Sequence, residues 1–188
     1  PEIVVQMDYD PWVVDLHAAY HVIFREATTP DEFMAWWSKG KSKALKALLK
    51  TKLPEKKRSE IIRVVRMNKS NVRARLRRLR RAMKKRKIPC FLTDQTQYAF
   101  VRDMIIAGRV RTLSANLLDD EGVVGIGNML KKMGVPVRLL YLSNAETYWR
   151  YSNQFRTNMW SLPHDDKSVV LRTTGSWSLN KDYRYYVQ

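Results

Sequence analysis

The sequence predicts an α/β fold with a mainly parallel sheet and helices on both faces. Three observations predict it. Short apolar runs rich in β-branched residues alternate with helical periodicities, the connections between them are short, and no repeat or low-complexity linker interrupts the alternation. The 188 residues fit one domain, 1–188, with enough chain to bury a core.

The elements follow in order. Glu2–Met7 is a short apolar strand, stopped by Asp8-Tyr9-Asp10-Pro11. Val13, Leu16, Ala19 or Tyr20 and Ile23 recur at helical spacing and define a helix over Trp12–Glu26. Thr29 is placed to cap the next helix, with Pro30 in its first turn and Asp31 and Glu32 near its positive end; Gly40 ends it. Lys41–Lys52 is a basic helix with Ala44, Leu45, Leu48 and Leu49 on one side. Pro54 breaks it. Arg58–Arg86 is one long helix with an apolar stripe of Ile61, Val65, Val72, Leu76, Leu79 and Met83.

After Pro89 the expected order is a strand over Cys90–Leu92, a helix over Asp94–Ile106 closed by Gly108, and a strand over Arg109–Leu113. A helix over Asp119–Met133 follows, with Gly134 after its last turn. Val135–Leu142 is a strand, and Ser143-Asn144-Ala145-Glu146 leads into a helix bearing Tyr148, Trp149 and Phe155. Strands over Ser168–Thr173 and Tyr183–Val187 complete the list.

Composition narrows the function classes. One cysteine, Cys90, excludes an intramolecular disulfide framework and a cysteine-based zinc cluster. No run of about 18 apolar residues exists, so no transmembrane helix is expected. The net charge of +17 is concentrated: Lys39 to Lys87 carries 22 basic residues against Glu55 and Glu60 alone, while the remainder is nearly neutral. We read 39–88 as a basic helical insert. Its charge suits a polyanion: nucleic acid, an anionic membrane surface or an acidic protein. The candidate nucleic-acid contacts are Arg63, Arg66, Arg73, Arg77, Arg80, Arg81, Lys84 and Lys85. The competing reading is a solvated helix face.

Ligands of open α/β sheets bind at the carboxyl ends of strands. That rule selects Asp8 with Asp10, the segment Ser114–Asp119, and Ser143–Glu146. Asp8 suits a ribose, whose two hydroxyls a strand-tip carboxylate can accept; it equally suits capping ahead of Trp12. Gly122–Gly127 is rich in glycine but lacks the GxGxxG spacing, and Gly125 reads as a point of close helix–sheet packing. Asp15, His17 and His21 invite a metal reading, and His17 and His21 share a helix face, but no glutamate follows His17 in the HExxH manner and no third His lies nearby, so a metal is not expected. Tyr141, Tyr148, Trp149, Tyr151, Phe155 and Trp160 suit either base stacking or, by their helical spacing, a core.

Four stretches, PEIVVQMDYDPWVVDLHAAYHVIF, TPDEFMAWW, LYLSNAETYWRY and FRTNMWSLPHDDKSVVLRT, resemble an uncharacterised bacterial family of methyltransferase-like proteins with a Tyr-x-Ser-Asn-Ala-Glu-x-Tyr segment. The likeness covers about residues 1–38 and 90–174. It implies a Rossmann-like sheet and S-adenosylmethionine as cofactor. In that scheme Asp8 holds the ribose, Asn116 and Asp119 lie near the adenine, and Ser143, Asn144 and Glu146 face the methyl acceptor as catalytic residues, all by analogy of fold.

The chain departs from that family at its start. The family's first strand and Gly-rich turn have no counterpart ahead of Pro1, so the central strand of the sheet is expected to be missing. Ile3–Met7 and Leu139–Leu142 would then flank a vacancy with unpaired backbone groups, each costing about 1–3 kcal/mol if buried. An upstream fragment of the same precursor, cut but still docked, is the expected occupant. Three functions follow. The chain is a methyltransferase-like domain, active or degenerate, that holds nucleic acid with its insert; or a released C-terminal toxin or effector domain acting on nucleic acid or membrane; or a non-enzymatic basic module docking to an acidic inhibitor or chaperone. The compartment is either the cytoplasm or a target cell that receives the protein.

Overall fold

The structure, a computed structural model, describes residues 2–143, 145, 150–175 and 183–187. The chain packs as two compact units, residues 1–114 and 115–188.

The first unit is a helical assembly around α1 (Pro11–Glu26), with a two-stranded parallel sheet of β1 (Val4–Asp8) and β2 (Val110–Ser114). The Asp10 carboxylate accepts the Trp12 N–H and caps α1, and Pro11 opens its first turn. α2 (Pro30–Trp36) starts as its sequence dictates. Thr29 Oγ1 accepts the Glu32 N–H, and the Glu32 carboxylate reaches back to the Thr28 N–H at 2.7 Å. A short 3-10 turn (Lys39–Lys41) leads into α3 (Ser42–Lys52), then the 32-residue α4 (Glu55–Arg86) and α5 (Gln95–Ile106).

α1 packs against α3, α4, α5 and both strands. The centre is aromatic: Phe24 and Phe33 lie 4.5 Å apart, Phe24 and Tyr98 5.2 Å, and Tyr20 and Trp37 4.9 Å between ring centroids. The buried Tyr98 hydroxyl donates to the Ala27 carbonyl, and Arg102 Nε donates to the same oxygen. That carbonyl belongs to the C-cap residue of α1, so α5 anchors the end of α1. Leu45, Leu49, Ile61, Val65 and Leu76 from the basic segment join the same core as Ile23, Phe33 and Trp37. The segment that charge singles out therefore supplies a large part of the unit's interior.

The second unit holds α6 (Gly122–Met133), β3 (Leu139–Tyr141), α7 (Asn153–Ser161), β4 (Val169–Gly175) and β5 (Tyr183–Val187). β3 and β4 pair in parallel, β4 and β5 antiparallel. α6 ends on Gly134 at φ 65°, a left-handed cap that glycine adopts without penalty.

Two expectations about the sheet are corrected. The fold is not a Rossmann-like, mainly parallel sheet. Helices dominate the described residues, and the strands fall into a two-stranded and a three-stranded sheet instead of one continuous layer. The second concerns the central strand of that single sheet, expected to be missing between Ile3–Met7 and Leu139–Leu142: the described strands form two sheets, β1 with β2 and β3 with β4, and β1 and β3 are not paired with each other.

Two local expectations also change. Cys90–Leu92 is not a strand: the Cys90 carbonyl accepts from the N–H groups of Thr93 and Asp94, and the resulting turn delivers Asp94 to the N-cap of α5. In α6 the close approaches fall on Gly122, against Ala115, and on Gly127, not on Gly125. A Cβ on Gly127 would lie 2.6 Å from the Ser161 carbonyl oxygen of α7, whereas one on Gly125 would meet nothing within 4 Å. Gly127→Ala is thus expected to destabilise the second unit by about 1–2 kcal/mol, overpacking outweighing the gain in helix propensity. Gly125→Ala is expected to stabilise it by about 0.5–1 kcal/mol. Denaturant unfolding of the two variants checks the opposite signs.

Candidate nucleic-acid interface

α4 is a helix with two opposed faces. Ile61, Val64, Val65 and Leu76 are buried and point into the core. At 3.6 residues per turn, Arg63, Arg66, Arg77, Arg81 and Lys84 gather on the opposite side, and all five are exposed. From Arg63 to Lys84 this row runs about 32 Å at 1.5 Å per residue. Lys85 is exposed beside the row, and Arg73 is half-buried at its border. α3 packs against α4 and adds exposed Lys43, Lys46 and Lys50. The only acidic residues of the segment, Glu55 and Glu60, lie at its N-terminal end.

Some basic residues are already committed. Arg80 forms an ion pair with Asp31 in the first turn of α2. Arg58 donates through Nε and Nη2 to the Leu53 carbonyl and closes the α3–α4 turn. Lys69 Nζ donates to Ser42 Oγ at 2.9 Å; burial, then the nearby Arg73 charge, pushes its ammonium below the usual lysine range. The structure brings together seven of the eight basic residues singled out from sequence on or beside one solvent face; Arg80 is turned to a structural task.

The strand-tip candidates carry local structure. Asp8 Oδ1 accepts the Asp10 N–H, and Ser114 is the register partner of Asp8. Asn116 Oδ1 accepts the Leu118 N–H. Asp119 Oδ1 accepts from Gly122 and Glu121, and these backbone bonds, Gly122 first, hold its carboxyl below the usual range. Asp8 belongs to the first unit, Asn116 and Asp119 to the second. Ser143 adopts φ 54°, and its carbonyl accepts the Thr173 N–H. Asn144 and Glu146 lie outside the described residues.

Two buried polar groups stand apart from these candidates: Asn158, which the sequence did not single out as a functional residue, and Asp15, which it set beside His17 and His21 only as a possible metal ligand. Asn158 is fully buried: its Nδ2 donates to the carbonyls of Leu117 and Asp119, and its Oδ1 accepts from Gln154. It pins α7 beneath the 117–119 loop, which gives the Asn of the FRTNMWSLP stretch a structural role. Asp15 is only 2% exposed, and its Oδ2 has no hydrogen-bond partner. It occupies a polar gap in the otherwise apolar stripe of α1, a signal visible only once α4 covers it. Among the described residues, no group of three or more His, Cys, Asp or Glu is arranged to hold a metal ion. No described helix is long and apolar enough to cross a membrane.

The comparison with known families adds one result: a family model matches residues 1–188. The chain belongs to the DUF7790 family. Its description is a domain of unknown function, and the model covers both units. No curated protein matches the chain.

Two ionisable groups, the buried Asp15 and the half-buried His21, make stability depend on pH with opposite signs. Burial, partly offset by Lys57 and reinforced by Glu60, raises the Asp15 carboxyl. The folded state then binds that proton more tightly than the unfolded chain, so stability is lost as pH rises above the ordinary value of 3.8. Burial, then Arg25 and His17, push His21 down to about 4 from 6.5. Unfolding takes up a proton between those values, so stability falls as pH drops from 6.5 towards 4. Asp15→Asn is expected to raise the denaturant midpoint at pH 7 and leave it little changed at pH 3. His21→Gln is expected to flatten the loss between pH 6.5 and 4. Unfolding curves from pH 3 to 8 check both.

Proposed function

We propose that this protein binds nucleic acid through the solvent face of α4, with the lysines of α3 extending the positive field. One observation carries the reading: Arg63, Arg66, Arg77, Arg81 and Lys84 share a face that the core-facing stripe of the same helix holds outward. A row of like charges without acidic partners among the described residues repels itself, and polyphosphate supplies the countercharge. Methyl transfer was tied to a continuous sheet and is not part of this reading.

Phosphate binding driven by counterion release weakens steeply with salt. A protein making six to ten phosphate contacts loses about 10³–10⁵ in affinity between about 50 and 200 mM salt. Fluorescence anisotropy with labelled oligonucleotides is expected to show that dependence. Arg63→Ala/Arg66→Ala, both on the exposed face, is expected to weaken binding and to lower the slope of log affinity against log salt by up to about 1.8 for B-form DNA. A salt-independent interaction, or unchanged affinity in this variant, would overturn the reading.

A further inference from the structure

We infer that the ligand is double-stranded B-form DNA and that the last turns of α4 enter its major groove. This rests on the nucleic-acid reading above and adds the form of the ligand and the way it is engaged.

Beyond Leu76 no α4 side chain is buried, so the helix continues for ten residues with only Arg80, Ala82 and Met83 partly covered. An α-helix with its side chains is about 10–12 Å across. The B-form major groove, about 12 Å wide, admits such a helix. The major groove of A-form RNA is deep and too narrow for side chains to read. The shape therefore selects DNA over RNA duplexes.

The side-chain inventory selects duplex over single strand. Proteins that hold single strands combine positive charge with aromatic rings on which the bases stack. From Ser38 to Cys90 the sequence contains no Phe, Tyr or Trp.

The helical wheel supplies the third argument. Each residue turns the helix by about 100°. Arg77 and Lys84, seven apart, fall on one flank; Arg78 and Lys85, also seven apart, fall on the other; Arg81 lies between them. All five are exposed. Two basic flanks separated by about 100° match the two phosphate ridges of a groove, and the central guanidinium faces its floor, where arginine pairs with guanine O6 and N7. Small Ala74 lies one to two turns back on the central line and leaves room for close approach. Ten of the fifteen basic residues of α4 are arginine, whereas α3 carries only lysine. Arginine presents the planar fork that binds phosphate and guanine in bidentate fashion.

The test is anisotropy at about 150 mM salt with the full chain and three labelled 24-mers: duplex DNA, the single strand of the same sequence, and the RNA duplex. Vesicles of phosphatidylglycerol serve as a fourth ligand. Duplex DNA is expected to bind at least tenfold more tightly than either other nucleic acid. Methyl green, a major-groove ligand, is expected to displace the protein, and netropsin, a minor-groove ligand, is not. Arg77→Ala/Lys84→Ala and Arg78→Ala/Lys85→Ala are each expected to lower the salt slope by about 1.8, with thermal melting unchanged because all four side chains are exposed. Equal or tighter binding of the single strand or the RNA duplex would overturn the inference and leave the nucleic-acid reading standing. Displacement by netropsin alone would do the same. Binding to vesicles without binding to any oligonucleotide would remove both.

Discussion

The structure depends on one helix serving two opposed requirements. α4 must bury an apolar stripe to complete the first unit and must hold a dense row of positive charge in water. The seam between Ile61, Val64, Val65 and Leu76 and the side chains of α1 and α3 makes both compatible. Each buried aliphatic side chain contributes about 1.5–3 kcal/mol, whereas a like-charge pair three or four residues apart on a helix costs about 0.2–0.5 kcal/mol. The seam wins where it exists, and orientation follows from it. A helix with one apolar stripe and fifteen basic residues can settle against a core only with most of its charge outward.

Past Leu76 the seam thins and other terms hold the helix. The positive side chains of Lys84, Lys85 and Arg86 lie in the last turn, where the partial negative charge of the helix C-terminus favours them. Lys87 takes the left-handed cap at φ 56°, and its N–H closes back on the Lys84 carbonyl. Arg80 is tied to Asp31, at the positive end of α2. The aspartate is favoured there by the α2 dipole and by the arginine, so one carboxylate stabilises the start of a helix and the late part of another. Attraction at these few points offsets repulsion along the row without neutralising it.

The local elements were legible because each rests on neighbours in sequence. Thr29, Pro30 and Glu32 encode the start of α2, and the stripe from Ile61 to Leu76 encodes a helix facing a core. Pairing was not legible. β1 has five residues and β3 three, and an apolar run of that length states that a strand is buried without stating beside which partner. The alternation of strands and helices therefore suggested one sheet where the chain builds two. Charge also describes only one side of the basic segment. It set 39–88 apart as an insert, yet Leu45, Leu49 and Ile61 are as central to the interior as Phe33. Net charge describes the outside of a helix and is silent about its inside.

The candidate site shows the same division between local and tertiary information. That Lys39 to Lys87 would attract a polyanion is arithmetic on the sequence. Which of its cations remain available is not, because Arg80 is taken by a residue 49 positions away and Lys69 by one 27 positions away. The carboxylates at the strand tips illustrate the converse. Asp8, Asp10 and Asp119 have the residue type and placement of ligand-binding groups, but each commits one carboxylate oxygen, Oδ1, to backbone N–H groups two or three residues ahead. A group that closes its own turn gains a preorganised partner at little entropic cost, and a ligand must compete with it. The arginines on the outer face of α4 face no such competitor from the core side, because the seam turns them away from every carboxylate of that core. The difference between the two sets is therefore one of prior commitment, and it favours the helix face over the strand tips as the place where the protein meets its ligand.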